Sequence, residues 1–197
     1  MDLNYRAKLW RWEPGTEPAA LAKRVMCDHL PFVDVLIANE SDAKDVLGIE
    51  AQGSDIDSGR LETDRYPEVA RAIIEQFPNV SRVAITLRAS VSADHNSWGA
   101  MLYERDTSQA TYAPMRDGEY RPWQMTNIVD RVGGGDAFAA GLIYAQSGDE
   151  LGTTQEALEF AVAASCLAHT VTGDFNFTSA DEVRALMRSS GTGRVVR

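Results

Sequence analysis

The chain has 197 residues, 44% of them hydrophobic and 24% charged, with a formal net charge of −10. That length suits one domain, or one domain with a small appendage, and is enough to bury a core; the acidic balance argues against a nucleic-acid surface or an anionic membrane as partner. Cys27 and Cys166 have neither metal spacing nor secretory context and are expected to be reduced and packed, and without a leader pattern or an apolar run of spanning length the expected location is cytoplasmic.

In chain order, residues 1–5 read as the end of a strand, followed by a loop through Gly15. Thr16-Glu17-Pro18 offers an N-cap and an early proline to a helix over 19–30. The nearly all-apolar run 33–38 predicts a buried parallel strand. A helix is expected from about Glu40 to Gly48, then a polar loop over 50–64, a helix over 66–77 and a buried strand over 82–87. Residues 98–104 and 110–114 look like an antiparallel pair. Alanine-rich helices are predicted over 137–146 and 154–171, and a last helix over 180–187. Strands alternating with helices imply a layered α/β sheet with helices on both faces. Ligands of such sheets gather at the carboxyl ends of strands, here 4–6, 39–42 and 86–88.

Gly133, Gly134, Gly135 and Asp136 stand at the entrance of the apolar helix over 137–146. Glycines let a backbone turn tightly and bring its N–H groups close to a ligand. A helix start adds N–H groups without intrahelical acceptors and the positive end of the dipole, a combination that attracts an anion. Asp136 would be repelled by a resting phosphate, which makes sense if it takes a proton from a hydroxyl attacking that phosphate. A glycine loop with Asp136 as an ordinary N-cap accounts for the same residues, and the glycines alone leave both readings open. The spacing is neither that of a Walker loop nor that of a dinucleotide fingerprint.

Taken whole, Asp130-x-x-Gly133-x-Gly135-Asp136-Ala137-Phe138-x-x-Gly141 closely resembles the second signature of the ribokinase/PfkB family of carbohydrate kinases. The resemblance implies an anion hole at Gly133, Gly134 and Gly135 and a catalytic base at Asp136, which would also touch the substrate. It implies an α/β fold, a ribokinase-like three-layer α/β/α sandwich with a mostly parallel sheet. It further implies one kinase domain over 1–197 corresponding to the family's C-terminal portion, with the N-terminal strands and lid missing before Met1. The implied cofactors are ATP and Mg²⁺, with a monovalent cation near Asp130 as a further option.

Other stretches carry the same resemblance. Asp2-x-Asn4-Tyr5-Arg6-x-x-Leu9-Trp10 looks like the 2-keto-3-deoxygluconate kinases within the family. It implies that Asn4 and Arg6 bind the substrate, with the planar guanidinium of Arg6 gripping a carboxylate. Asn39-Glu40-Ser41-Asp42 resembles the family's Asn-x-x-Glu motif. It implies that Asn39 and Asp42 organise magnesium indirectly, with Glu40 as a neighbouring acid; an acidic cluster at a helix start is the alternative. Thr86 and Arg88 fall where family members contact nucleotide, although Arg88 reads equally as a surface arginine. Residues 90–98 look like the same branch, with His95 solvated. Ala163-Ala164-Ser165 to His169, then Gly173-Asp174-Phe175-Asn176, resemble the segment lining the adenine pocket, which implies nucleotide contacts at Ala164 and His169. Ordinary helix packing with a C-cap at Gly173 is the alternative.

Two functions follow. The first is ATP-dependent phosphorylation of a sugar acid, 2-keto-3-deoxygluconate at its 6-hydroxyl, with fructose or another sugar as the competing substrate. The second is a non-catalytic nucleotide-binding module, favoured by the missing lid and by the shorter acid at Asp42. The expected partners are the small-molecule sugar acid and ATP, with neither nucleic acid nor membrane, and a homo-oligomer is compatible with the sequence.

Overall fold

The computed structural model describes residues 1–39, 41–49, 65–90, 95–148 and 151–189. Among them the chain is α/β. The helices are α1 (Pro18–His29), α2 (Tyr66–Gln76), α3 (Gly134–Ser147), α4 (Thr154–Ala168) and α5 (Ala180–Arg188). The strands are β1 (Val35–Asn39), β2 (Arg82–Ser90), β3 (His95–Glu104), β4 (Gln109–Ala113), β5 (Met115–Arg116), β6 (Glu119–Tyr120) and β7 (Trp123–Thr126). The main sheet has the order β1-β2-β3-β4, with β7 also on β3. It is mixed. β1 runs parallel to β2 from Val35↔Arg82 to Asn39↔Thr86, and Asp2 adds a parallel bridge to Ile37. β7 runs antiparallel to β3 from His95↔Thr126 to Trp98↔Trp123.

Two compact units divide the chain, Met1–Thr86 with Leu102–Ala110, and Leu87–Met101 with Thr111–Arg197. In the first, Leu36, Ile37 and Ala38 of β1 are all buried, as expected of a parallel strand covered on both faces. Helix α2 buries Val69, Ala70, Ile73 and Ile74, the one-sided pattern of a 3.6-residue period. Its C-terminal end is closed by Arg105, whose Nη2 donates to the carbonyls of Ile74 (2.7 Å), Val80 (2.9 Å) and Phe77 (3.2 Å). In the second unit α3 and α4 meet at Gly141. A Cβ there would lie 3.0 Å from Ala161 Cα and 3.1 Å from Ala164 Cβ, so the small residues read from the sequence do allow close packing.

Several boundaries differ from expectation. Helix α1 has Glu17, not Thr16, as its N-cap, without a side-chain cap; the Thr16 hydroxyl donates to Glu13 instead. The helix expected to end at Gly48 does end there, with Gly48 left-handed at φ 70°, but it is only a five-residue wide turn, Ala43–Leu47. Strands β5 to β7 were not expected. They are two to four residues long and lie among Pro114, Gly118 and Pro122, too short to show alternation. The polar loop expected over 50–64, and Glu40, lie outside the described residues.

Candidate functional site

The three glycines of the second unit are needed for three different reasons. Gly133 is the N-cap of α3 and sits at φ 77°, the left-handed region that L side chains rarely adopt. A Cβ on it would also press into the backbone of Asp174, 2.8 Å from the carbonyl oxygen and 2.9 Å from Cα. A Cβ on Gly134 would lie 2.5 Å from His169 Cε1. On Gly135 it would meet nothing within 4 Å, so that side of the turn faces open space. Asp136 follows in the first helical turn and is exposed.

The start of α3 differs from the starts of α4 and α5. Thr153 with Glu156, and Ser179 with Glu182, form complete capping boxes in which each side chain satisfies the other residue's backbone donor. Helix α3 has a glycine N-cap and no side-chain cap. Its first i→i−4 bond is made, Ala137 N to Gly133 O at 2.8 Å, and Gly134 N reaches Arg131 O at 3.4 Å. The N–H groups of Gly135 and Asp136 occupy positions without an intrahelical acceptor. Together with the dipole they form a donor pair suited to an anion.

Helix α4 supports this turn from below. Ser165 is fully buried, and its hydroxyl donates to the Gly134 carbonyl at 2.7 Å. His169 Nδ1 lies 2.7 Å from the Ser165 carbonyl. A carbonyl oxygen only accepts, so Nδ1 carries the proton, and Nε2 holds the lone pair in the neutral ring. The His169 ring also packs on Trp98, with centroids 5.3 Å apart. Its carbonyl accepts Val129 N at 2.9 Å, so the segment entering the turn is held to the end of α4. Asp130 completes the clamp: Oδ1 accepts from Arg131 N (2.7 Å) and Val132 N (3.0 Å), and Oδ2 from Gly173 N (2.9 Å).

The electrostatics follow from these contacts. The Val132 and Gly173 N–H groups hold the Asp130 carboxyl below its usual range. Burial pushes the His169 pKa down; the Arg131 and Arg88 charges push the same way, while the Ser165 carbonyl and Asp130 oppose them. His169 is therefore a neutral support at pH 7, and two guanidinium groups act on it in a chain of net charge −10. Arg131 Nη2 also donates to Asn96 Oδ1 at 3.2 Å. Beside the turn, a recess of about 50 Å³ is lined by Trp123, Met125, Ile128, Cys166, His169 and Leu186, among others.

The first unit holds the other motif residues. Asp42 is 3% exposed. Its Oδ1 accepts from Tyr5 N and its Oδ2 from Asn39 N, both at 3.1 Å. Asn39 Oδ1 in turn accepts from Ser41 N (2.8 Å) and Asp42 N (3.0 Å). The two sequence motifs are thus tied together by backbone donors. Burial raises the Asp42 pKa, although the Asn39 and Tyr5 N–H groups favour its ionised form. Asn4 and Arg6 are exposed, with Arg6 Nε 3.4 Å from Asn4 Oδ1, and Asn4 takes a left-handed φ of 33°.

The sequence-predicted residues of the second unit therefore come together only in part. Gly133, Gly134, Gly135, Asp136, Asp130 and His169 form one cluster. Ala164 is buried at the α3–α4 contact, its carbonyl accepting from Asn176 Nδ2, and is not among the recess-lining residues. Thr86, which belongs to the first unit, is buried midway along β2, and Arg88 is exposed two residues further along the same strand. Ser165 and Cys166 fall in the run from Ala163 to His169 likened to the adenine-pocket lining, but the contact of Ser165 with the turn was not read from the sequence, and neither Ile128 nor Leu186 was given a role. The available signal was a hydroxyl inside the apolar run from Ala161 to Ala168, since a buried hydroxyl needs an acceptor.

No family model and no curated protein matches the chain. Solved structures do. A 2-dehydro-3-deoxygluconokinase from Thermotoga maritima is 39% identical with a TM-score of 0.76, over 95% of this chain and 49% of that one. A PfkB family carbohydrate kinase from Listeria grayi is 28% identical with a TM-score of 0.73, over the same shares, 95% and 49%. A fructokinase from Vibrio cholerae, solved with fructose, ADP and calcium ion, shares the fold at 19% identity and a TM-score of 0.63, covering 95% of this chain and 49% of that one. The chain spans about half the length of these structures.

Proposed function

We propose that this chain, whose solved relatives are PfkB-family carbohydrate kinases and whose α/β fold is ribokinase-like, carries the phosphoryl-transfer turn of an ATP-dependent sugar-acid kinase. The observation that carries the reading is the α3 entrance. It has no side-chain cap, two backbone donors without intrahelical acceptors, open space at Gly135 and an exposed carboxylate at Asp136. Phosphoryl transfer asks for positioning and charge stabilisation more than covalent chemistry, and such a turn supplies both.

In this reading the substrate hydroxyl gives its proton to the Asp136 carboxylate as its oxygen attacks the γ-phosphorus of ATP. The bond from that phosphorus to the β,γ-bridging oxygen breaks, and ADP leaves. The N–H groups of Gly135 and Asp136 stabilise charge on the transferred phosphoryl group. Arg131 and Arg88 add positive field on the same unit. Arg6, steadied by Asn4, is the proposed holder of the sugar-acid carboxylate. The acceptor is 2-keto-3-deoxygluconate, another name for the substrate in the Thermotoga maritima kinase's name.

Magnesium would be held mainly by the nucleotide phosphates and water. Both Asp42 oxygens accept backbone N–H groups and the residue is buried, so Asn39 and Asp42 fit only an indirect role in shaping that region. Glu40 lies outside the described residues. Both Asp130 oxygens likewise accept backbone N–H groups, which suits a clamp.

The test is ADP release with ATP, Mg²⁺ and either 2-keto-3-deoxygluconate or fructose. The account expects ADP and a 6-phosphorylated sugar acid only with the former. ADP binding without any transfer would leave a nucleotide-binding module and remove the kinase.

A further inference from the structure

The Gly134–Gly135 peptide joins the core and the open side of the turn. Its carbonyl, on Gly134, points to the buried Ser165 hydroxyl at 2.7 Å. Its N–H, on Gly135, belongs to a residue whose Cβ position meets nothing within 4 Å. In a trans peptide the C=O and N–H point in opposite directions. Fixing the carbonyl inward therefore fixes the N–H outward. A Gly-Gly peptide needs such an anchor more than any other, because glycine accepts both signs of φ and so resists a peptide flip least.

We propose that Ser165 is a positioning residue that locks this peptide with the Gly135 N–H turned toward an incoming phosphate. The proposal rests on the kinase reading for the identity of the anion, but not for the orientation of the peptide. A hydrogen bond to the carbonyl also polarises the amide and makes its N–H a better donor. His169 secures the arrangement twice. Its Nδ1 proton goes to the Ser165 carbonyl, and its ring packs directly against Gly134, in the space a Cβ there would take. Ser165 lies 31 residues from Gly134 and outside the Asp130 to Gly141 signature, in a run whose resemblance implies contact with the adenine and not with the turn.

The experiment compares wild type, Ser165→Ala and Ser165→Thr by titration with β,γ-imido-ATP, a non-hydrolysable analogue that keeps the γ-phosphate, and by the ¹⁵N–¹H signal of Gly135, well below each variant's melting temperature. Ser165→Ala is expected to lose affinity for the analogue about tenfold and to lose the analogue-induced shift of the Gly135 amide, with both partly restored in Ser165→Thr, which keeps the hydroxyl. A purely structural serine would lower melting temperature but leave affinity within twofold and the amide shift intact; that result overturns the proposal. If wild type does not bind the analogue, the kinase reading falls. The lock is then judged on ligand-free protein, where Ser165→Ala must move the Gly135 amide signal and speed its exchange. An unchanged signal there overturns the lock by itself.

Discussion

The Cβ that Gly134 lacks would sit 2.5 Å from Cε1 of His169. The glycine is therefore set by a ring 35 positions later in the chain as well as by the chemistry of an anion turn. Gly134→Ala should destabilise the protein by about 1–3 kcal/mol, the usual cost of overpacking a well-filled site. In a His169→Ala background the same change should cost at least about 1 kcal/mol less, because residues in contact couple by that order. Urea denaturation of the four proteins measures this. Additive costs would show that the two residues do not share the space.

His169 also sets a pH dependence. Burial lowers its folded-state pKa below the ordinary value, so the unfolded chain binds this proton more readily. Stability from this group is complete above about pH 6.5 and is lost as pH falls from there toward the lower folded value. Asp130, also depressed, weakens the fold at still lower pH, below the ordinary carboxylate range. Asp42, raised by burial, works in the opposite direction: from about pH 3.9 upward its ionisation reduces stability. The informative quantity is the difference between wild type and His169→Gln from pH 7 to 5. Wild type should lose more stability over that interval, and parallel curves would contradict the assignment.

Arg105 gives a prediction remote from the turn. Its guanidinium closes the end of α2 through the carbonyls of Ile74, Phe77 and Val80. Arg105→Ala should cost about 2–3 kcal/mol, since hydrogen bonds to a charged group contribute more than neutral ones and the carbonyls are left without a donor. Arg105→Lys should recover only part, because an ammonium cannot reproduce the planar fork. Thermal unfolding decides, and a lysine variant equal to wild type would count against the geometric argument.

The turn itself was readable in the sequence because its constraints are local. Three glycines before an acid and an apolar helix limit backbone and chemistry within a few residues. The Asp2 to Arg6 and Asn39 to Asp42 motifs were readable for the same reason. That Asp42 binds Tyr5 N was not, because the contact spans 37 residues. The contacts of Ser165 and His169 were hidden likewise: nothing near them in sequence says which carbonyl or which glycine they meet. Helices α2 to α5 matched their periodicity within one to three residues, whereas β5 to β7 are too short for any period to register.

The most direct measurement is the turnover of Asp136→Asn with ATP and 2-keto-3-deoxygluconate, alongside its ADP affinity. The account predicts a fall in kcat of about 10²- to 10⁴-fold, the usual worth of a general base, with ADP affinity changed by no more than about threefold because the backbone donors remain. Turnover equal to wild type would contradict the role given to Asp136, and with it the reading of the turn as the place where phosphate is transferred.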